Sequence, residues 1–505
     1  MGKAKPPKFG SGRKATLLST INQSLSFHAS PELFLSTAPG AADETRDQSN
    51  ALPSIVRAKI LNRDVAVISS YRHCRDILQA THGASLSPTE PGSVARDGGD
   101  PITPSTFTVG PAYRELMSDF FPLPNLLLLD LPGHSQAKLH WEEHFARVFA
   151  QIPNLIRDTV VDHLTTWSHG STVDLYEQMK DLSWKVLCAV FLGLSPGDDQ
   201  YRTIISLQED LMRGQFSLFP VSINTPLWRS PRCKGIEARK KLQVVLGEMM
   251  TTRTADGNPT CPFAQPSDSD GGLNSEELAG NTLLFTSSIA IKALASLLTA
   301  SLLNLFLFPS QPPLASMVRR KHAHGKTHED SDLLRSILLE TERMSPPVIG
   351  VMRRVERDVV LTECATDPAL QHQVVVPAGW DAWLYFVSAS RDASIYQNAS
   401  QFIPDRFLSQ LEPSPPLAFG AGAKACLGRE VTRTVVKTVA SAMLETGIDL
   451  VGSIDQKGVR GWLGWDDNVS VDIIAKELKQ LPCQRPREPI RHRDSVSRRK
   501  FTTGD

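Results

Sequence analysis

The chain has 505 residues, and its 54 Lys plus Arg are matched by 54 Asp plus Glu, so the formal net charge is zero. That balance argues against a dedicated nucleic-acid binder, while the length allows a large core or, as a soft prior, about three domains. Seven cysteines, odd in number and scattered, form no CxxC pair and no zinc spacing, which fits a reducing compartment better than a disulfide framework.

The first residues, MGKAKPPKFGSGRKATLLSTINQSLSF, are basic and then weakly amphipathic. They lack the apolar core of a signal peptide or spanning helix, so no N-terminal membrane anchor is expected. SIVRAKI and DVAVISS read as strands, and YRHCRDILQA reads as a short helix. From about residue 134 to 310 the patterns are mainly helical, most clearly in HSQAKLHWEEHFARVFAQIPNLIRDTVVDHLTTW and DLYEQMKDLSWKVLCAVFLGL. The most apolar stretch, residues 283 to 309, is long enough to span a bilayer but carries Lys292, Asn304 and many hydroxyls, and it is expected to be a buried central helix. Strand patterns return in VVLTEC, HQVVVP and DAWLYFVSAS. Pro/Gly/Ser-rich loops at residues 38–53, 85–105 and 252–274 are too short to be convincing linkers, no internal repeat is present, and the basic end from Arg485 to Lys500 reads as a solvated tail.

Three groups of residues carry chemistry. In SILLETERMSPPVIG, Glu340 and Arg343 share one helix face, and FIPDRF places Arg406 in a proline-bounded loop. In FGAGAKACLG, Cys426 precedes a helix whose Val431, Val435, Val436, Val439 and Met443 recur at helical spacing up to Gly447. A helix start favours an anion, which biases the Cys426 thiol towards thiolate. Two roles are open on these grounds alone: a small buried hydrophobe, or a thiolate bound to haem iron.

Taken in order, Glu-x-x-Arg, Pro-Asp-Arg-Phe and Phe-x-x-Gly-x-Lys-x-Cys-x-Gly resemble the cytochrome P-450 family of haem-thiolate monooxygenases, a resemblance that extends to DLPGHSQAK and WDAWLYFVSASRD and covers residues 55 to 475. It implies a mainly α fold with a smaller β-rich portion (α+β), haem b as cofactor and Cys426 as the axial iron ligand. Residues 1–54 would precede this catalytic domain and residues 476–505 would follow it as the tail. By the same resemblance His134, Lys138, Arg353 and Lys424 would meet the haem propionates, and Phe419, Gly422 and Gly428 would shape the cysteine loop. Glu340, Arg343 and Arg406 would support that loop. Lys138 and Lys424 stand where arginine or histidine is more frequent.

The departure lies in the central helix, where relatives carry a small residue, Gly, any residue, an acid and then Thr. Counting back from Pro309 puts those positions at Ile289 to Ala293, whereas an earlier register puts Thr286, Ser287 and Ser288 over the iron. Neither register offers an acid, since no Asp or Glu occurs between Glu277 and Glu329. The hydroxyls of Thr286, Ser287 or Ser288, water or substrate would then deliver protons, with Ser287 and Ser288 joining Cys426 as catalytic candidates. The alternatives are a peroxide-using or oxygen-independent isomerase, lyase or dehydratase, or a haem-binding scaffold with reduced activity. The resemblance further implies a small apolar substrate, as in fungal specialised metabolism, and electrons from NADPH through a separate reductase. Lys138, Lys424, Arg429, Arg433 and Lys437 would make the docking side basic. The protein is expected in the cytoplasm or peripherally on the endoplasmic reticulum membrane.

Overall fold

The computed structural model describes residues 54–60, 63–80, 106–121, 123–148, 152–215, 222–225, 228–252, 261–264, 273–321, 331–362, 373–408, 414–452 and 470–475. The expectations for the first 53 residues, the 85–105 loop and the basic tail lie outside them.

The β-rich portion is built from both ends of the chain. β1 (Ile55–Ile60) and β2 (Arg63–Ile68) pair antiparallel with Ile55 opposite Ile68 and Val56 opposite Val67. The helix α1 (Tyr71–Ala80) then buries Tyr71, Cys74, Ile77 and Leu78, its positions i, i+3, i+6 and i+7, beneath them. β3 (Phe107–Thr108) and α2 (Pro111–Met117) follow.

The helical body comprises α3 (Gly133–Val148), α4 (Ile152–Leu164), the short strand β4 (Thr172–Asp174), α5 (Leu175–Leu192), α6 (Asp199–Gln215), α7 (Pro231–Thr251), α8 (Ser275–Phe285), α9 (Ser288–Leu307), α10 (Leu314–Lys321) and α11 (Asp332–Met344). Sequence punctuation sets several ends. The Asp174 carboxylate caps α5 by accepting the Glu177 N–H at 3.0 Å, and Gly193, left-handed at φ 67°, closes it. The long stretch expected to be helical from His134 to Trp167 is helical over its described spans α3 and α4, with Pro153 in the first turn of α4, where its missing N–H costs least. Between α6 and α7 the backbones nearly touch: a Cβ added to Gly214 would lie 2.8 Å from the Gly235 Cα.

After α11 the chain returns to the sheet as β5 (Gly350–Val355), the hairpin β6 (Val359–Thr362) and β7 (Gln373–Val376), β8 (Asp381–Tyr385) and α12 (Phe386–Ala389). The large sheet runs β1-β2-β8-β5-β3, with β8 parallel to β2 and every other pair antiparallel. The last helix, α13 (Arg429–Thr446), leads into β9 (Ile448–Val451), and β10 (Ser470–Ala475) lies between β4 and β9. The fold is mainly helical with a smaller β portion, as the sequence implies.

The apolar central segment also differs from a single helix. It is α8 and α9, separated at Thr286 (φ −99°, ψ 10°) and Ser287 (φ −73°, ψ 162°). Although α9 is long and apolar enough to cross a membrane, most of it is buried inside the protein. Two of its polar side chains bond internally: Asn304 donates to the Thr341 hydroxyl of α11 at 3.1 Å, and Thr299 donates to the Ala295 carbonyl.

Candidate functional site

The cysteine loop runs from Leu417 to the start of α13 and is closed by its own backbone. The Cys426 N–H donates to the Phe419 carbonyl at 2.9 Å and the Ala425 N–H to that of Gly422 at 3.0 Å. Gly420 and Gly422 adopt φ of 67° and 72°, a left-handed region costly for residues with a Cβ. From outside the loop, the Lys138 ammonium on α3 donates to the carbonyls of Ala423 and Ala425 at 2.8 and 3.0 Å. Cys426 is exposed at its own surface yet set deep among protein atoms, and burial raises its thiol above the ordinary value. The Gly428 N–H, Lys138 and Arg429 pull the other way without prevailing. The helix start therefore does not make a thiolate unaided, as the sequence suggests; a bound cation is what would deprotonate the sulfur.

Behind the loop, Glu340 and Arg343 are fully buried on α11. All five N–H donors of Arg343 find acceptors: both oxygens of Glu340 at 2.7 and 2.8 Å, and the carbonyls of Ser390, Ala399 and Gln401 at 2.6 to 2.9 Å. Arg406 adds a second guanidinium to Glu340 at 3.0 Å and donates to the Gln397 carbonyl. One carboxylate and two guanidiniums leave a net positive charge, which the ring of carbonyls compensates. Tyr396 lies under both cations, 5.0 and 6.0 Å from its ring centroid. The motifs do not reveal Tyr396; its place a few residues before the Arg406 loop is the only signal.

A second group of cations gathers on the other flank. Arg353 on β5 is buried, donates to the Met352 carbonyl and leaves its Nε without a protein acceptor. Lys424 donates to the Leu129 carbonyl, and burial, with Arg353, Arg114 and Lys138 nearby, pushes its ammonium down to about 7. Asp130 is the acid that eases this group, and it is already engaged by Arg114 and the Val109 N–H. Buried, crowded cations with a free guanidinium N–H suit a ligand carrying two carboxylates, so the residues present fit haem and its propionates. His134 is buried in the first turn of α3, in the chain next to this group.

Lys138, which the sequence also assigns to this group, bonds to the loop carbonyls, as Lys424 bonds to that of Leu129. Of the basic residues expected on the docking side, Arg433 pairs with Glu342 at 2.7 Å and Arg429 with Glu430 at 3.1 Å, and Lys424 is partly buried. Arg433 also lies 5.5 Å over the Phe419 ring, which holds α13 against the loop.

At the helix gap Ser287 and Ser288 are 0% and 2% exposed, and neither hydroxyl has a protein partner. The helix interruption falls at Thr286–Ser287, within the earlier of the two expected registers, and Ile289 and Ala290 just beyond it are only partly buried. The two serine hydroxyls are thus enclosed by protein and do not form an open surface.

A buried cysteine-loop anchor, a cation group suited to two carboxylates and an interrupted central helix together define a haem-thiolate fold. A family model, Cytochrome P450, matches residues 316–446. Cytochrome P450 85A1 of Oryza sativa subsp. japonica is 22% identical over 354 residues, covering 65% of this chain and 71% of that protein. The 3-epi-6-deoxocathasterone 23-monooxygenase of Arabidopsis thaliana is 25% identical, covering 65% of this chain and 64% of that one. Among solved structures, retinoic acid bound cyanobacterial CYP120A1 superposes with a TM-score of 0.62 at 19% identity, over 94% of this chain and all of that one; this likeness establishes the fold. The chain has the cytochrome P450 fold and is similar in sequence to that family, the haem-thiolate monooxygenases, whose cofactor is haem b.

Proposed function

We propose that the protein inserts one oxygen atom of O2 into a small apolar specialised metabolite, using electrons that NADPH supplies through a separate reductase. The observation that carries this reading is the intact support of Cys426: a closed loop, two left-handed glycines and the fully bonded Glu340–Arg343–Arg406 cluster behind it. Relatives named as a 23-monooxygenase and, in Oryza sativa, as abscisic acid 8'-hydroxylase 3 favour hydroxylation as the outcome. The substrate class follows from the family resemblance.

Cys426 would hold the iron, Arg353 and Lys424 with His134 would meet the propionates, and Phe419, Gly422 and Gly428 would leave room for the macrocycle. Haem held there would supply dioxygen activation, its reactivity tuned by electron density from the Cys426 sulfur. The chain's own residues do the rest. Glu340, Arg343 and Arg406 fix the loop, and Lys138 holds two of its carbonyls. Ser287 and Ser288 serve proton delivery, as hydroxyls able to accept and donate at once. The peripheral membrane or cytoplasmic location, and the boundaries 55 and 475 for the catalytic unit, belong to the same proposal.

The test is mass spectrometry of metabolites from cells with and without the gene, followed by turnover under labelled dioxygen. A precursor lighter than the missing product by one oxygen, with the label retained, supports insertion. A precursor isomeric with the product, or differing from it by water, overturns insertion and makes the enzyme an isomerase, lyase or dehydratase.

A further inference from the structure

We propose that Gln208 is a positioning residue for proton delivery, fixing buried water at the gap between α8 and α9, where this chain has neither the acid nor the alcohol of its relatives. This inference rests on the monooxygenase reading.

Gln208 lies in the middle of α6 on a face that is otherwise apolar there, with Ile204 and Leu211 one turn away on either side, and all three are fully buried. Burying an amide costs free energy unless its hydrogen bonds are made. Its Nε2 donates across to the Thr286 hydroxyl at 3.2 Å and, more weakly, to the Leu283 carbonyl at 3.5 Å. Thr286 passes its own hydrogen to the Thr282 carbonyl at 2.8 Å, so its hydroxyl is used once as acceptor and once as donor. This fixes the orientation of Thr286, the C-cap of α8, at the point where the backbone ladder stops.

What remains is unmatched. The Gln208 Oε1, the Thr282 hydroxyl and the hydroxyls of Ser287 and Ser288 are all buried without a protein partner. Each belongs to the gap, to the turn before it or to the one side chain that reaches it. A buried polar atom left unbonded costs about 1–3 kcal/mol, and proteins meet such groups with ordered water that makes two to four bonds. Ordered water is therefore the ligand this chemistry selects.

The division of labour follows from the functional groups. A hydroxyl or a water can accept a proton on one side and release another on the other; an amide at neutral pH does neither. Gln208 thus orients the relay and does not carry the proton. Per turnover, O2, a substrate C–H, two electrons and two protons give an alcohol and one water. The relay takes each proton up at its solvent end and releases it at its inner end, unchanged itself.

The test uses the haem-loaded full chain with its substrate and a reductase, in wild type, Gln208→Leu, Gln208→Glu and Thr286→Val. Wild-type crystals should show ordered water bonded to Gln208 Oε1. In Gln208→Leu and Thr286→Val, product per electron pair should fall roughly 10–100-fold, as for other supporting-shell changes, with the balance appearing as hydrogen peroxide and with a larger solvent deuterium isotope effect. The thiolate-type spectrum of the reduced carbon monoxide complex should be retained, and Gln208→Glu should restore coupling. Gln208→Leu with wild-type coupling and isotope effect, or a dry Oε1, overturns the proposal. A wild type that consumes no dioxygen fails the monooxygenase reading instead, and is seen before any variant is compared.

Discussion

The two sides of the site are built on opposite terms. On the cysteine side, Arg343 uses all five donors and Glu340 accepts from two guanidiniums and the Ile403 N–H at 2.8 Å, Glu340 and Arg343 themselves having no exposure to water. At the helix gap, by contrast, three hydroxyls and an amide oxygen are buried without protein partners. The contrast teaches that the cysteine loop is held by an over-determined scaffold, whereas the helix gap keeps hydrogen-bonding capacity in reserve. Damage to the first should cost structure; damage to the second should cost chemistry.

The sharpest way to break the comparison is Cys426→Ala. It should abolish the thiolate-type spectrum of the reduced carbon monoxide complex, while the apo fold, followed by circular dichroism, persists. Next, Glu340→Gln strands two buried guanidiniums and should cost about 3–5 kcal/mol, read as a loss of soluble, haem-loaded protein and a lower denaturant midpoint. Gly235→Ala would place a Cβ 2.9 Å from the Gly214 Cα and should cost about 1–3 kcal/mol through overpacking, measured by thermal unfolding.

Acid should act away from both sides. His163 on α4 is buried, its Nδ1 lies 3.2 Å from the Lys185 ammonium, and burial, then Lys185, lower it to about 4. Its ordinary value is 6.5, so the unfolded chain binds the proton first on acidification. The stability this neutral ring contributes is full above 6.5 and is lost as the pH falls towards about 4. Unfolding measured from pH 7 to 4 should show this loss, and His163→Gln should flatten it by on the order of 1–2 kcal/mol. The smallest effect is expected on the reacting side. Ser287→Ala deletes an unpaired buried hydroxyl and should move stability by no more than about 1 kcal/mol, while raising peroxide release.

Much of the cysteine side was legible because it is encoded locally. Three motifs, each short and each constrained by geometry, name Cys426, Glu340, Arg343 and Arg406, and alternation or helical spacing finds β1, β2, α1 and α13. The acid and alcohol were also visibly missing from the central stretch. The helix gap itself was not legible, because TSSIAIK contains no proline or glycine to announce it. Gln208 was hidden by distance, its partner Thr286 lying 78 positions on. A glutamine between Ile204 and Leu211 on an apolar face is a signal, though it does not say which segment it meets. Nor does a lysine in sequence reveal whether it faces a carboxylate or, as Lys138 does, two loop carbonyls.

The large sheet has a consequence for how the protein is made. β2 finds its neighbour β8 only near residue 381, and the Tyr71 hydroxyl donates to the Pro415 carbonyl, 344 positions away. At ribosomal speeds of about 5–20 residues per second, the apolar edge VAVI waits roughly 15–60 s for its partner strand to be synthesised. During that interval the nascent chain carries an open strand edge that chaperones must cover. Expression yield should therefore depend on the cell's folding machinery as much as on the stability of the finished enzyme.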